Sequence, residues 1–397
     1  MKFSKRIQSI QPSMTLAVDA KAKELSARGV DVLGFGAGEP DFNTPEEIKR
    51  AGVEAIEQNA THYTPVGGTV ALKQAIVDKL KRDNGLNYEK NQILVSCGAK
   101  HSFFNLAQVL WEEGDEVIVP APYWVSYPDI IRYAGARPII VDTQASSAFK
   151  IIPDQIEEVV TSNTRAIIIN SPSNPTGSAY AKKELEAIAE CALRHNLLIV
   201  SDEIYEKIVF DGFQQTSIAA LSEEVQNHCV VINGVSKSFA MTGWRIGYLA
   251  ANAEIVKQAG KLQGQSTSNP ASISQAASIV AVGGVEADVK RMVEEFQNRR
   301  NILLNGLLGI PGVTCYKPVG SFYTFPDFSA FYGKSFNGKK VEGSVTLAEF
   351  LLEEGKLALV PGIAFGADRN LRMSFAASMD TIREGMSRLT EALAQLK

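Results

Sequence analysis

Between about residues 90 and 250 the chain alternates short apolar runs with stretches of helical spacing, and this restricts it to few folds. The runs are Ile93-Leu-Val-Ser96, Glu116-Val-Ile-Val-Pro120, Pro138-Ile-Ile-Val141, Ala166-Ile-Ile-Ile-Asn170, Leu197-Leu-Ile-Val-Ser201, Val230-Val-Ile-Asn233 and Ile246-Gly-Tyr-Leu-Ala250. Short runs separated by helices predict a mostly parallel sheet with both faces covered. The expected large domain is therefore α/β, with a mostly parallel seven-stranded sheet. In such sheets ligands sit beyond the carboxyl ends of the strands, so the residues there are the ones to examine for chemistry.

Those ends are rich in reactive side chains. The sixth run leads into Val235-Ser-Lys-Ser, which holds Lys237 between Ser236 and Ser238, and Arg245 follows in Gly-Trp-Arg-Ile-Gly. A lysine there can form an imine with an aldehyde and carry protons once released. A planar guanidinium suits a fixed phosphate. Either residue taken alone is more simply a surface lysine or a structural arginine. After the first run, the Gly98-Ala99-Lys100 turn opens a helix whose free N–H groups and dipole suit a phosphate. Trp124 follows the second run, where a flat ring could stack on another or simply fill the core. Asn174 lies in an Asn-Pro-Thr-Gly turn after the fourth run. Asp202 ends the fifth, where a buried acid is costly unless paired, and a helix cap is the plainer alternative. Tyr205 follows three residues on and could be a core tyrosine.

Taken in order, Ser-Lys with Gly-x-Arg-x-Gly, Asn-Pro-Thr-Gly, the strand-end Asp-x-x-Tyr and Arg372-Met-Ser-Phe-Ala376 resemble the class I and II aminotransferases of pyridoxal phosphate fold type I. The branch they look most like is the bacterial and archaeal aspartate aminotransferases. The resemblance implies pyridoxal 5′-phosphate as cofactor, held by Lys237 as an aldimine, with Lys237 also moving the substrate's α-proton. It implies Asp202 at the ring nitrogen, Trp124 on the ring face, and Asn174 and Tyr205 at the phenolic oxygen. Gly98, Ala99, Lys100, Ser236 and Arg245 would lie around the phosphate. Tyr63, in a loop between two helical stretches, would cross a homodimer interface to the partner's cofactor. Gly38, in Gly34-Phe-Gly-Ala-Gly-Glu-Pro-Asp-Phe42, and Arg372 would bind the substrate α-carboxylate, together with Asn174. Lys100 and Thr15 would meet a second, side-chain carboxylate. The implied reaction is ping-pong transamination of aspartate or glutamate with a 2-oxo acid, most simply 2-oxoglutarate. A prephenate or broad-specificity aminotransferase is the alternative. A carbon–sulfur lyase could use the same fold and lysine, and would release pyruvate and sulfide.

Composition narrows the field further. A net charge of −4 gives no electrostatic case for nucleic acid or an anionic membrane. That weakens a regulatory, DNA-binding reading. The four cysteines, Cys97, Cys191, Cys229 and Cys315, have no metal spacing and suit reduced thiols in the cytoplasm. No run is apolar and long enough to span a membrane. The expected division is an N-terminal arm and part of the small domain over 1–40, a large cofactor domain over 41–285, and a small α+β domain over 286–397. Within the last, residues 333–343 read as an exposed, mobile loop. Ile382, Met386, Leu389 and Leu393 mark the buried face of a C-terminal helix.

Overall fold

The structure, a computed structural model, describes residues 1–12 and 14–397. All seven apolar runs become strands of one sheet: β1 (Ile93–Ser96), β2 (Glu116–Ala121), β3 (Arg137–Asp142), β4 (Thr164–Asn170), β5 (Leu198–Asp202), β6 (Cys229–Gly234) and β7 (Gly247–Ala250). Their order is β1-β7-β6-β5-β4-β2-β3. Only β7 runs antiparallel to its neighbours, β1 and β6.

Strand periodicity explains why the runs are apolar throughout. Side chains at alternate positions point to opposite faces, and both faces are covered. Ile93, Val95, Ile167, Ile169 and Val231 enter one core, while Leu94, Ile168, Val230 and Ile232 enter the other. Three helices matter most for the site: α1 (Glu46–Glu57), α2 (Ala99–Leu110) and α3 (Ser126–Ala134). The last of these stops at Gly135, whose φ of 106° a side chain would oppose.

A third core lies towards the C-terminus and includes Phe35, Phe296, Phe322, Leu371, Met373, Leu389 and Leu393. It packs around a small antiparallel sheet in which β10 (Leu371–Ser374) lies between β8 (Tyr323–Thr324) and β9 (Val360–Pro361). The N-terminal part of the chain joins this region, since Leu33–Gly34 pairs in parallel with Leu357–Ala358. Helix α4 (Glu286–Leu308) links the cores, with Val289 in the first and Phe296, Leu303 and Leu307 in the third. Its fully buried Arg300 is neutralised by Asp211 at 2.8 and 2.9 Å. Ile382, Met386, Leu389 and Leu393 are all buried, as their spacing requires.

One expectation needs correction. Residues 333–343 are largely exposed, as expected, but they are not an irregular loop. Ser335–Phe336 and Lys339–Lys340 pair as a two-stranded hairpin. Asn337 and Gly338 turn it with positive φ values of 47° and 78°, as an Asn-Gly hairpin turn demands. Val341 then enters the third core, which anchors the hairpin.

Candidate active site

The carboxyl ends of β4 and β5 lie side by side, with Asn170 opposite Asp202 in register. Above them opens a cavity of about 510 Å³. Gly38, Ala99, Lys100, Trp124, Asn174, Asp202, Tyr205, Ser236, Lys237, Arg245, Arg372 and Thr15 all line it. Gly98 stands just behind, against Arg245. Tyr63 is elsewhere, with its side chain in solvent and 92% of its surface exposed.

Lys237 follows β6 in the turn that leads to β7. Its Nζ donates to the Gly38 carbonyl at 2.5 Å. Burial pushes its ammonium down to about 8, and Arg245, Arg372 and Lys100 add to this while Glu39 opposes it. A lysine this easily deprotonated is a competent nucleophile near neutral pH.

Asp202 is buried at the end of β5. It does not cap a helix. Its Oδ1 accepts from the Ile204 N–H at 3.2 Å and its Oδ2 from the Tyr127 hydroxyl at 2.5 Å. Burial pushes its carboxyl above the usual carboxylate range, favouring the neutral acid, and the Tyr127 hydrogen bond works against that rise.

The anion cradle is formed by α2 and the Arg245 turn. Gly98 precedes the helix with φ of 91°, and no side chain caps the helix. A Cβ at Gly98 would stand 2.4 Å from Arg245 Nη2. A Cβ at Gly247 would stand 2.1 Å from the Ala99 nitrogen, so strand β7 can pass under the turn only as glycine. Arg245 is held by the carbonyls of Thr242, at 2.8 Å, and Cys97, at 3.3 Å. Neither partner is an acid, so the guanidinium keeps its charge for another anion.

Arg372 projects from β10 and is 4% exposed. Nη1 donates to Asn174 Oδ1 at 3.0 Å and Nη2 to the Gly36 carbonyl at 2.8 Å, while Nε is buried without a partner. The rings of Tyr323 and Phe365 lie 4.4 and 5.0 Å from the guanidinium carbon. Among the described residues no acid pairs with it, so the internal salt bridge that the sequence also allowed does not form. Lys100 lines the same cavity, its Nζ 5.0 Å from the Trp124 ring.

Some of the site was not foreseen. Tyr323 meets the Tyr205 hydroxyl at 3.1 Å, and Tyr127 holds Asp202. Asn170 Oδ1 accepts from the Asn174 N–H at 2.9 Å, which sets the Asn-Pro-Thr-Gly turn. Glu39 accepts from the Thr242 hydroxyl at 2.6 Å. Only Glu39 and Asn170 carried a sequence signal, as polar residues inside motifs already singled out.

These features fit pyridoxal phosphate. There is a side-chain-free cradle beside a helix N-terminus and an unpaired arginine, a lysine of depressed basicity, and a buried acid facing the same cavity. Fold and site together define a pyridoxal phosphate-dependent enzyme on an α/β scaffold. The sequence matches the family Aminotransferase class I and II over residues 30–389. It is 50% identical to an aspartate aminotransferase of Geobacillus stearothermophilus over 98% of both chains. It is 45% identical to an aspartate/prephenate aminotransferase of Nitrosomonas europaea, covering 99% of this chain and all of the other. The fold superposes on the crystal structure of the Rhizobium meliloti aspartate aminotransferase with a TM-score of 0.97, 41% identity and full coverage of both chains. A Thermus thermophilus aspartate aminotransferase solved with maleate gives 0.93 at 39% identity, covering 99% of this chain and all of that one. The chain belongs to the class I and II aminotransferases and uses pyridoxal phosphate.

Proposed function

We propose that this enzyme transaminates aspartate, and glutamate as amino-group partner, with 2-oxoglutarate the natural acceptor. The observation that carries the proposal is a pair of cations facing one cavity, Arg372 and Lys100, neither of which has an acidic partner among the described residues. A substrate with two carboxylates satisfies both. The relatives above are named for aspartate, and one was solved with maleate, a four-carbon dicarboxylate. Prephenate, also a dicarboxylate, is the second reading, favoured by the Nitrosomonas relative.

When bound, pyridoxal phosphate supplies an aldehyde that condenses with amines and a ring that accepts the charge of a deprotonated carbon. Lys237 would hold the aldehyde carbon and, once free, its Nζ would serve as the base that takes the α-proton. Asp202 would face the ring nitrogen and keep it protonated. Trp124 would cover the ring, and Asn174 and Tyr205 would hold its phenolic oxygen. Arg245, Ser236 and the Gly98–Ala99 turn would hold the phosphate. Arg372, braced by Asn174 beside Gly38, fixes the α-carboxylate and so orients the Cα–H bond. Lys100 and Thr15 take the second carboxylate.

We also propose a homodimer. Tyr63, Val53, Ile56 and Val70 are all exposed, Val53 and Ile56 on α1, and a second copy would cover them. Tyr63 then reaches the partner's phosphate. The domain division proposed is 1–40, 41–285 and 286–397. The four cysteines are all free, which supports the cytoplasm. Among the described residues no helix is long and apolar enough to cross a membrane.

A panel of amino donors tests the substrate reading. Aspartate should convert the bound cofactor to its amine form fastest, with parallel-line kinetics against 2-oxoglutarate. Faster conversion by alanine or phenylalanine would overturn it, and release of pyruvate and sulfide from cysteine would point to a lyase.

A further inference from the structure

Tyr127 has no place in the assignments above, yet it touches two of them. It is buried in the first turn of α3, one turn beyond Trp124. Its hydroxyl donates to Asp202 Oδ2 at 2.5 Å. Its ring meets Trp124 edge-on, with centroids 5.1 Å apart and an 80° angle. On another side it packs against Phe103 at 5.1 Å and 67°. Asp202 Oδ1 is fixed by the Ile204 N–H, so the carboxylate cannot rotate without breaking one of two hydrogen bonds.

We infer that Tyr127 is a positioning residue for transamination, whose hydroxyl aims Asp202 and holds it ionised while its ring sets the tilt of Trp124. The inference rests on the assignment of Asp202 to the ring nitrogen. The physical reason is proton sharing. Burial favours a neutral Asp202, and the phenol's donated hydrogen bond offsets that preference. Without it, the proton shared between Asp202 and the ring nitrogen shifts towards Asp202. The ring becomes a weaker electron acceptor, and the proton on the Lys237 nitrogen, no longer repelled by a charged ring, leaves at higher pH.

Tyr127→Phe in the holoenzyme removes the hydroxyl and keeps the ring. With aspartate, kcat should fall about 10- to 100-fold, the range expected for a lost hydrogen bond to a charged group. KM should change by less than about threefold, and the pH midpoint of the bound cofactor's absorbance should rise by roughly half a unit or more. Phe103→Leu loosens the same packing but spares the hydroxyl, and should leave that midpoint in place. In an Asp202→Asn background, Tyr127→Phe should add almost nothing, because an amide has no charge to hold. If Tyr127→Phe keeps the wild-type kcat and midpoint while Asp202→Asn is crippled, the inference falls and the Asp202 assignment stands. If Asp202→Asn itself works normally, the assignment of Asp202 falls first. Equal midpoint shifts in Tyr127→Phe and Phe103→Leu would reduce Tyr127 to packing.

Discussion

Asp202 and Glu203 are neighbours in sequence but belong to two clusters of opposite character. The Asp202 cluster faces the cavity, where Lys237, Arg245, Arg372 and Lys100 meet no acid in direct ion pairing among the described residues. The Glu203 cluster is closed. There Lys79 pairs with Glu206, Asn84 donates to the same carboxylate at 2.8 Å, and Lys207 pairs with Asp83 at 2.8 Å. Glu203 Oε1 accepts from Ser201 at 2.8 Å and Ser217 at 2.6 Å. Only the second balances its lysines with acids, whereas of the cavity's four cations Arg372 is buried, Lys237 half-buried, and Arg245 and Lys100 exposed. A buried cation that meets no acid, as Arg372 does among the described residues, has a solvation cost that an anionic ligand can relieve.

The contrast can be broken most severely at Lys237. Lys237→Ala should abolish transamination and the absorbance of covalently bound cofactor, without changing the far-UV circular dichroism. Turnover at the wild-type rate would refute its role. In the balanced cluster, Lys79→Met should cost stability instead. Removing one partner of a buried pair typically costs about 3–5 kcal/mol, measurable by urea unfolding, while activity per folded molecule stays the same. Arg372→Ala should lower kcat/KM by about 30-fold or more, equivalent to roughly 2–5 kcal/mol, and by a similar factor for every amino acid. A loss confined to one substrate would give Arg372 another task.

Glu203 supplies a pH test. Burial, then the charge of Glu206, pushes its carboxyl up to about 7. A carboxyl raised on folding stabilises fully below its unfolded value, and that contribution is lost as pH rises through the folded one. Relative to Glu203→Gln, the wild type should therefore lose up to about 3 kcal/mol between pH 4.5 and 7, then level off. A difference in stability that does not vary with pH would contradict this. The smallest effect belongs to Lys100→Ser, which should reduce efficiency with aspartate by more than about tenfold, or ~1.4 kcal/mol, and barely touch alanine. An unchanged aspartate-to-alanine ratio would remove Lys100 from the specificity argument.

Much of this was legible in the sequence, because strands buried on both faces leave an unbroken apolar signature. All seven runs are strands, and residues at or just beyond the ends of the first, second, fourth, fifth and sixth line one cavity. The neutral surroundings of Arg372 were not legible, since its partners Asn174 and Gly36 lie 198 and 336 positions away. Tyr127 and Tyr323 were hidden for another reason. A tyrosine in an apolar run looks the same whether its hydroxyl meets a working residue or merely a backbone carbonyl. The 333–343 hairpin was visible in its Asn-Gly pair, but its Gly and Lys content obscured it.

The span between Gly36 and Arg372 also sets an order in time. A chain made at about 5–20 residues per second needs roughly twenty seconds to a minute to extend from one to the other. Lys237, Asp202 and Arg245 are all synthesised well before Arg372. On the ribosome, the groups that would grip the cofactor therefore exist while the α-carboxylate clamp is still unmade.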